Sequence, residues 1–345
     1  LTKKRLFFKN NQSILKMTKI LLTILFSIAS FTTVFTQEIS QPTCGPGGSE
    51  YAHDTVNFQS YAEEADGYYL FEPQQPQPDS APIIVFFHGY GAYNPMAYGQ
   101  WIQHLVRKGS TVIFPRYQES MLSPLPSGYA DNCAIAIKDA LKKLSTGDHV
   151  RAKKGNLSFV GHSFGGAILA NLAVNYKAFG IPKPAVAMLC SPGTGFVSMG
   201  RLDSYEEMPA DIKLLVTVSE NDKIVGDEFA LRVFNEAKHV PDKNFIRQFR
   251  DKNGDEYVSA QHNEVYCLLM DYDSGHRSPS ARRSMRISKT NAMDYYGYWK
   301  WFDALLECSR SGNYCEYALG NTPEQRSLGC WNDGTAIKEV EVLTK

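Results

Sequence analysis

The sequence predicts an α/β fold: a mainly parallel central sheet with helices on both faces. Three observations predict it. Short continuous apolar runs alternate with stretches of helical spacing through the middle of the chain, and such runs suit strands buried on both faces. One strand-to-helix junction, LSFVGHSFGGAILANLA over residues 157–173, sets a single serine among glycines. There is no repeat of fixed period and no second βαβ set, so residues 37–345 read as one domain.

The elements follow in order. Residues 55–61 and 67–73 carry strand-like patterns, and the Gln- and Pro-rich residues 74–82 make a surface turn. IIVFF (83–87) is a buried strand, and residues 96–109 have helical spacing that stops at Gly109. TVIFP (111–115) is the next strand and 132–144 the next amphipathic helix. LSFV (157–160) leads into a helix over 164–176. Strands at 185–190, 213–218 and 244–249, the last of the sheet, surround a helix at 226–238. A long aromatic helix covers 291–308, and the basic stretch RRSMRISK (282–289) reads as a solvated loop. About 22 residues separate Cys190 from Lys213, too few for a large cap domain of ordinary size.

The 345 residues have a formal net charge of zero, which hides an asymmetry. Residues 1–36 hold six basic residues and no acid, so the remainder carries six more acids than bases. No basic face points to a nucleic-acid partner. Met17-Thr18-Lys19 precedes the uncharged ILLTILFSIASFTTVFT, the pattern of a secretory signal peptide cut after Ala29 or Thr36. Residues 1–36 are therefore expected to be a signal peptide with upstream residues, and the mature chain to be secreted or periplasmic without stable membrane insertion. The alternative is a membrane anchor, for which an apolar run this short lies at the lower limit. All seven cysteines follow this segment. Export permits disulfides, and three cysteines between 308 and 330 suggest one C-terminal staple. Cys190, ending an apolar run, is expected to be a buried thiol.

Ligands of open parallel sheets sit at the carboxyl ends of strands. Ser163 lies at such an end, flanked by Gly161 and Gly165, which leave room for a sharp strand-to-helix turn. The helix that follows directs free N–H groups at developing negative charge. A hydroxyl needs a base, and the base needs an orienting acid. The acidic loop SENDKIVG after strand 213–218 offers Asp222, with Glu220 as the alternative acid. A base behind the last strand is either His262 or His276, and His262 follows that strand more closely. The HGYG turn after IIVFF places the backbone N–H of Tyr90 as a partner for that of Phe164 in an oxyanion hole. His88 reads as a structural histidine beneath that turn. Tyr90, Tyr93, Tyr117 and Phe164 are candidates for an aromatic wall.

On these motifs, from GPGGSEY through HGYG, GHSFGG and SENDKIVG to MDYYGYWKWFDALLEC, residues 45–340 resemble the α/β-hydrolase superfamily. The similarity is to secreted bacterial members of the dienelactone-hydrolase-like and chlorophyllase- or lipase-like kind. The resemblance implies a serine hydrolase fold with Ser163 as nucleophile. Such sequences carry the base in an A-D-H turn, which here reads Ala260-Gln261-His262. The expected activity is hydrolysis of a carboxylic ester through a Ser-His-Asp triad and an acyl-enzyme. Its partner would be a small-molecule, lipid or polymer ester, with no metal or organic cofactor required. A serine peptidase and a non-catalytic binding protein on the same fold are the competing expectations.

Overall fold

The apolar runs pair into one nine-stranded sheet. The computed structural model describes residues 39–195, 197 and 199–344, and the expected signal peptide lies outside the described residues. In chain order the main elements are β1 (Thr55–Tyr61), β2 (Tyr68–Gln74), β3 (Ser80–Phe87), α1 (Gly99–Arg107), β4 (Thr111–Pro115), α2 (Tyr129–Lys143), β5 (Arg151–His162) and α3 (Phe164–Val174). They continue with β6 (Val186–Cys190), β7 (Lys213–Ser219), α4 (Glu228–Glu236), β8 (Lys243–Gln248), β9 (Asp251–Asn253), β10 (Glu256–Val258), α5 (Pro279–Ile287), α6 (Trp299–Ser311) and β11 (Glu341–Leu343).

The sheet order is β1-β2-β4-β3-β5-β6-β7-β8-β11. The six strands from β4 to β8 pair in parallel. Antiparallel strands close both edges. After β3 the chain moves to β4 on one side, then crosses back to β5 on the other. This reversal makes a crevice at the carboxyl ends of β3 and β5.

Alternation within each strand divides the core into two layers. Ile84 and Phe86 of β3 pack with Trp101 and Leu105 of α1 and Trp301 and Phe302 of α6. Ile83, Val85 and Phe87 face the other way, toward Ile137 of α2, Leu169 of α3 and Phe234 of α4. Ile39–Lys345 clusters as one unit. Among the described residues, no helix is long and apolar enough to cross a membrane.

Several boundaries differ from the sequence pattern. The helix expected from residue 96 starts as a 3-10 turn at Pro95–Tyr98, where the Asn94 side chain accepts the Met96 N–H. β5 extends back to Arg151 because Ser80 and Ala81 of β3 supply partners to its polar half. RRSMRISK is largely helical, not a loop: Ser278 caps α5 by accepting the Ala281 N–H, Pro279 follows it, and Ala281 and Ser284 bury one side. β8 is not the last strand, since the β9–β10 hairpin and the edge strand β11 follow it. The aromatic helix opens with a π turn, Asp294–Tyr298, before α6. Cys308 and Cys315 form a disulfide, and Cys190 is a buried thiol.

Candidate active site

Ser163 sits between the end of β5 and the start of α3 with φ +56° and ψ −122°. This conformation is unfavourable for a residue with a side chain, by about 1–3 kcal/mol, and the surroundings enforce it. The Ser163 N–H donates to the Cys190 carbonyl (2.9 Å), and the Ser163 carbonyl accepts from Gly166 (2.9 Å) and Gly193 (3.1 Å). The flanking glycines are sterically required. A Cβ on Gly165 would stand 2.3 Å from the Phe87 carbonyl oxygen and 2.4 Å from that of His88. One on Gly161 would meet Leu169 Cδ2 at 2.7 Å and the Gly165 backbone at 2.9 Å.

The Ser163 hydroxyl lies 2.8 Å from His262 Nε2. The other ring nitrogen, Nδ1, is 2.7 Å from Asp222 Oδ2. A carboxylate only accepts, so Nδ1 carries the hydrogen and Nε2 is left to accept from the serine. Asp222 Oδ1 accepts the backbone N–H groups of Ile224 (2.9 Å) and Val225 (3.1 Å). Burial pushes the Asp222 carboxyl up, but the hydrogen bond and charge of His262 and these two amides outweigh it and leave it below the ordinary value. Asp222 is therefore ionised at neutral pH, and it fixes both the tautomer and the tilt of the ring.

His262 follows the β9–β10 hairpin in a turn held from several directions. Ala260 adopts φ +48°, and its carbonyl accepts the Asn221 N–H at 3.0 Å. The Glu264 carboxylate accepts the Ser259 hydroxyl. His162 Nε2 lies 2.8 Å from the His262 carbonyl oxygen, and His162 Nδ1 is 3.0 Å from the Tyr98 hydroxyl. A carbonyl accepts only, so the directions follow: His162 Nε2–H donates to His262, and Tyr98 O–H donates to His162 Nδ1. Tyr98 in turn accepts the Gly89 N–H at 2.9 Å. The chain of bonds ties the turn after β3 to the turn bearing His262. Burial, with the neighbouring His262 a lesser cause, pushes the His162 pKa down to about 3, so its ring is neutral at pH 7.

Tyr90 and Phe164 border the same cavity of about 180 Å³ as Ser163 and His262. The backbone N–H of neither has an acceptor among the described residues. Ser280 Oγ donates to the Tyr90 carbonyl at 2.8 Å. His88 lies beneath this turn, fully buried, with ring nitrogens 2.7 Å from the carbonyls of Gly89 and Arg116 and its ring stacked on Tyr117. Burial lowers its pKa to about 4.

Other candidate residues are not brought to Ser163. His276 packs edge-on against Tyr93, and Glu220 is exposed, accepting the Arg250 N–H at 2.5 Å. Tyr93 and Tyr117 are buried around His88 and form no part of the cavity wall. Tyr90 and Phe164 do border it, with ring centroids 6.0 Å apart. Among its described residues the segment between β6 and β7 carries no helix or strand, and Thr194 and Val197 from it edge the cavity.

A family model described as the alpha/beta hydrolase fold matches residues 84–232. That stretch runs from β3 into α4 and contains Tyr90, Ser163 and Asp222. The chain carries the α/β-hydrolase fold. No curated protein matches it. His262 lies beyond the matched stretch, so it is joined to the rest of the site by geometry alone. Sequence patterns missed His162 and Tyr98. The available signal for His162 was the first variable position of G-x-S-x-G, where its ring is buried. Among the described residues, no group of three or more His, Cys, Asp and Glu side chains is arranged to hold a metal ion.

Proposed function

We propose that this α/β-hydrolase is a carboxylic-ester hydrolase acting through Ser163, His262 and Asp222. The supporting observation is the continuous relay from the Asp222 carboxylate to His262 (2.7 Å) and on to the Ser163 hydroxyl (2.8 Å). The steps follow from it. Ser163 Oγ attacks the ester carbonyl carbon as its proton passes to His262 Nε2. Asp222 stabilises the imidazolium, and the N–H groups of Tyr90 and Phe164 receive the oxyanion, each contributing about 3 kcal/mol. Collapse expels the alcohol, which takes the proton from His262. Water then attacks the acyl-enzyme with His262 as base, releasing the acid and restoring Ser163.

The chain is further proposed to act after export. The basic start and apolar run of residues 17–36 support this, as does the Cys308–Cys315 disulfide. The short β6–β7 connection, without a helix or strand among its described residues, supports bulky esters as substrates.

The test is incubation of the folded protein with 4-nitrophenyl esters and with a fluorophosphonate. Ester turnover and a phosphonyl adduct on Ser163, located by mass spectrometry, are expected. Amide turnover at a comparable rate points to a peptidase, and folded protein that takes no label is not a serine hydrolase.

A further inference from the structure

The catalytic cavity does not end at His262. It shares Ile224, His262, Asn263 and Arg283 with a larger hollow of about 450 Å³. Together the two adjoining hollows make a groove bordered in common by these four residues. Lys223, Arg250 and Arg283 border this groove, and among the described residues no Asp or Glu does. Beyond residue 36 the chain carries more acids than bases, so this is a local reversal of its charge.

These three cations also differ from many others on the surface. Arg247, Arg277 and Arg326 each pair with a carboxylate. Lys223, Arg250 and Arg283 have no carboxylate within ion-pair distance among the described residues. Two neighbouring acids are already engaged. Glu220 accepts the Arg250 backbone N–H, and Glu264, which borders an adjoining hollow with Arg283, accepts from Ser259 and Gln261. Ile224 and Tyr257, both about half exposed, add apolar wall to the larger hollow.

We propose that this groove receives an ester bearing a second, free carboxylate, such as a half-ester of a dicarboxylic acid. The scissile carbonyl lies at Ser163, the apolar body runs along Ile224 and Tyr257, and the carboxylate sits among Lys223, Arg250 and Arg283. Hydrolysis consumes one water and releases an alcohol and the fully ionised diacid, or the acid and an alcohol that keeps the charge. The inference rests on the ester-hydrolase reading above and names its substrate class.

Two matched pairs test it. Mono-4-nitrophenyl adipate against 4-nitrophenyl hexanoate places the charge on the acyl side. 4-Acetoxybenzoate against phenyl acetate places it on the alcohol side. In at least one pair the anionic ester is expected to have the higher kcat/KM, by about tenfold at low ionic strength, as loose cation–carboxylate contacts and steering allow. The ratio should fall toward one as salt is raised, and Arg283→Gln should cut it severalfold. Lys177→Gln, outside both cavities, should keep the parent ratio. Turnover of the neutral esters with ratios at or below one in both pairs overturns the carboxylate groove and leaves the hydrolase standing. So does a ratio indifferent to salt and to Arg283→Gln. Folded protein that hydrolyses none of the four esters and takes no phosphonate overturns both.

Discussion

His162 donates its Nε2 hydrogen to the backbone carbonyl of His262 across 2.8 Å, although 100 residues separate them. One histidine thus holds the chain that carries the other. Because Tyr98 donates to His162 and accepts from Gly89, the two turns that flank the Ser163 hydroxyl share a single buried scaffold. Tyr98→Phe removes the donor to His162 and the acceptor for Gly89 while keeping the ring. About 1–3 kcal/mol of orientation should be lost, read as a kcat lowered about tenfold or more with KM nearly constant. Steady-state kinetics check this, and an unchanged kcat would mean that the scaffold does not position the base.

The hydroxyl of Ser163 is small and makes one bond to His262. Ser163→Ala should lower kcat by about six orders of magnitude, as loss of the nucleophile in a triad does. The thermal midpoint should move by only about 3 °C. Activity assays paired with calorimetry separate these two effects.

The acid and the base each have a rival whose surroundings predict a different outcome. Asp222→Asn leaves the shape but disturbs the His262 tautomer, so kcat should drop by about 10⁴. Glu220→Gln, at an exposed side chain bonded to Arg250, should leave it within about twofold. Likewise His262→Ala should abolish turnover while His276→Ala retains most of it. Retained activity in His262→Ala would remove the proposed base.

Gly165 has no room for a methyl group, since a Cβ would stand 2.3 Å from the Phe87 carbonyl oxygen. Backbone cannot yield as a flexible side chain does. Gly165→Ala should destabilise by about 3 kcal/mol and displace the Ser163 turn. Denaturant titration should show a lower midpoint with an unchanged slope.

Two buried rings give a pH dependence with a defined sign. His162 and His88 have pKa values pushed down by burial to about 3 and about 4, from the ordinary 6.5. Between these values and 6.5 the unfolded chain binds protons that the folded chain refuses. Stability should therefore be full above pH 6.5 and fall as pH drops from 6.5 toward 4. The lowered Asp222 carboxyl adds a loss that begins only below its ordinary value of 3.8. Urea titrations from pH 7 to 4 measure the slope, and His162→Gln should flatten it if the fold survives. A stability independent of pH across that window would show that neither ring is held neutral.

Local pattern carried the architecture a long way. IIVFF, TVIFP and KLLVTV announce buried parallel strands because a strand covered on both faces must be apolar at every position. The turn at Ser163 is legible because its crowding demands glycine at Gly161 and Gly165, and that demand is written within five residues. The same local reading failed at α5, where the charged RRSMRI masked a Ser-Pro helix start and the small buried side of Ala281 and Ser284. It also missed the polar half of β5, which is a strand only because β3 lies beside it.

The sequence by itself determined the alternating strands and helices, the crevice end of the sheet, and the serine presented there. Only the tertiary structure decided which imidazole stands beside that serine, which carboxylate stands beside that imidazole, and that His162 and Tyr98 hold the turn bearing the imidazole. The reason is distance along the chain: Ser163 and His262 are 99 positions apart, and Asp222 and His262 are 40. Periodicity reports which face of an element is buried over a few residues. It carries nothing about where a hairpin and a loop will bring two side chains within 3 Å, which depends on sheet order, register and the packing of every element between them.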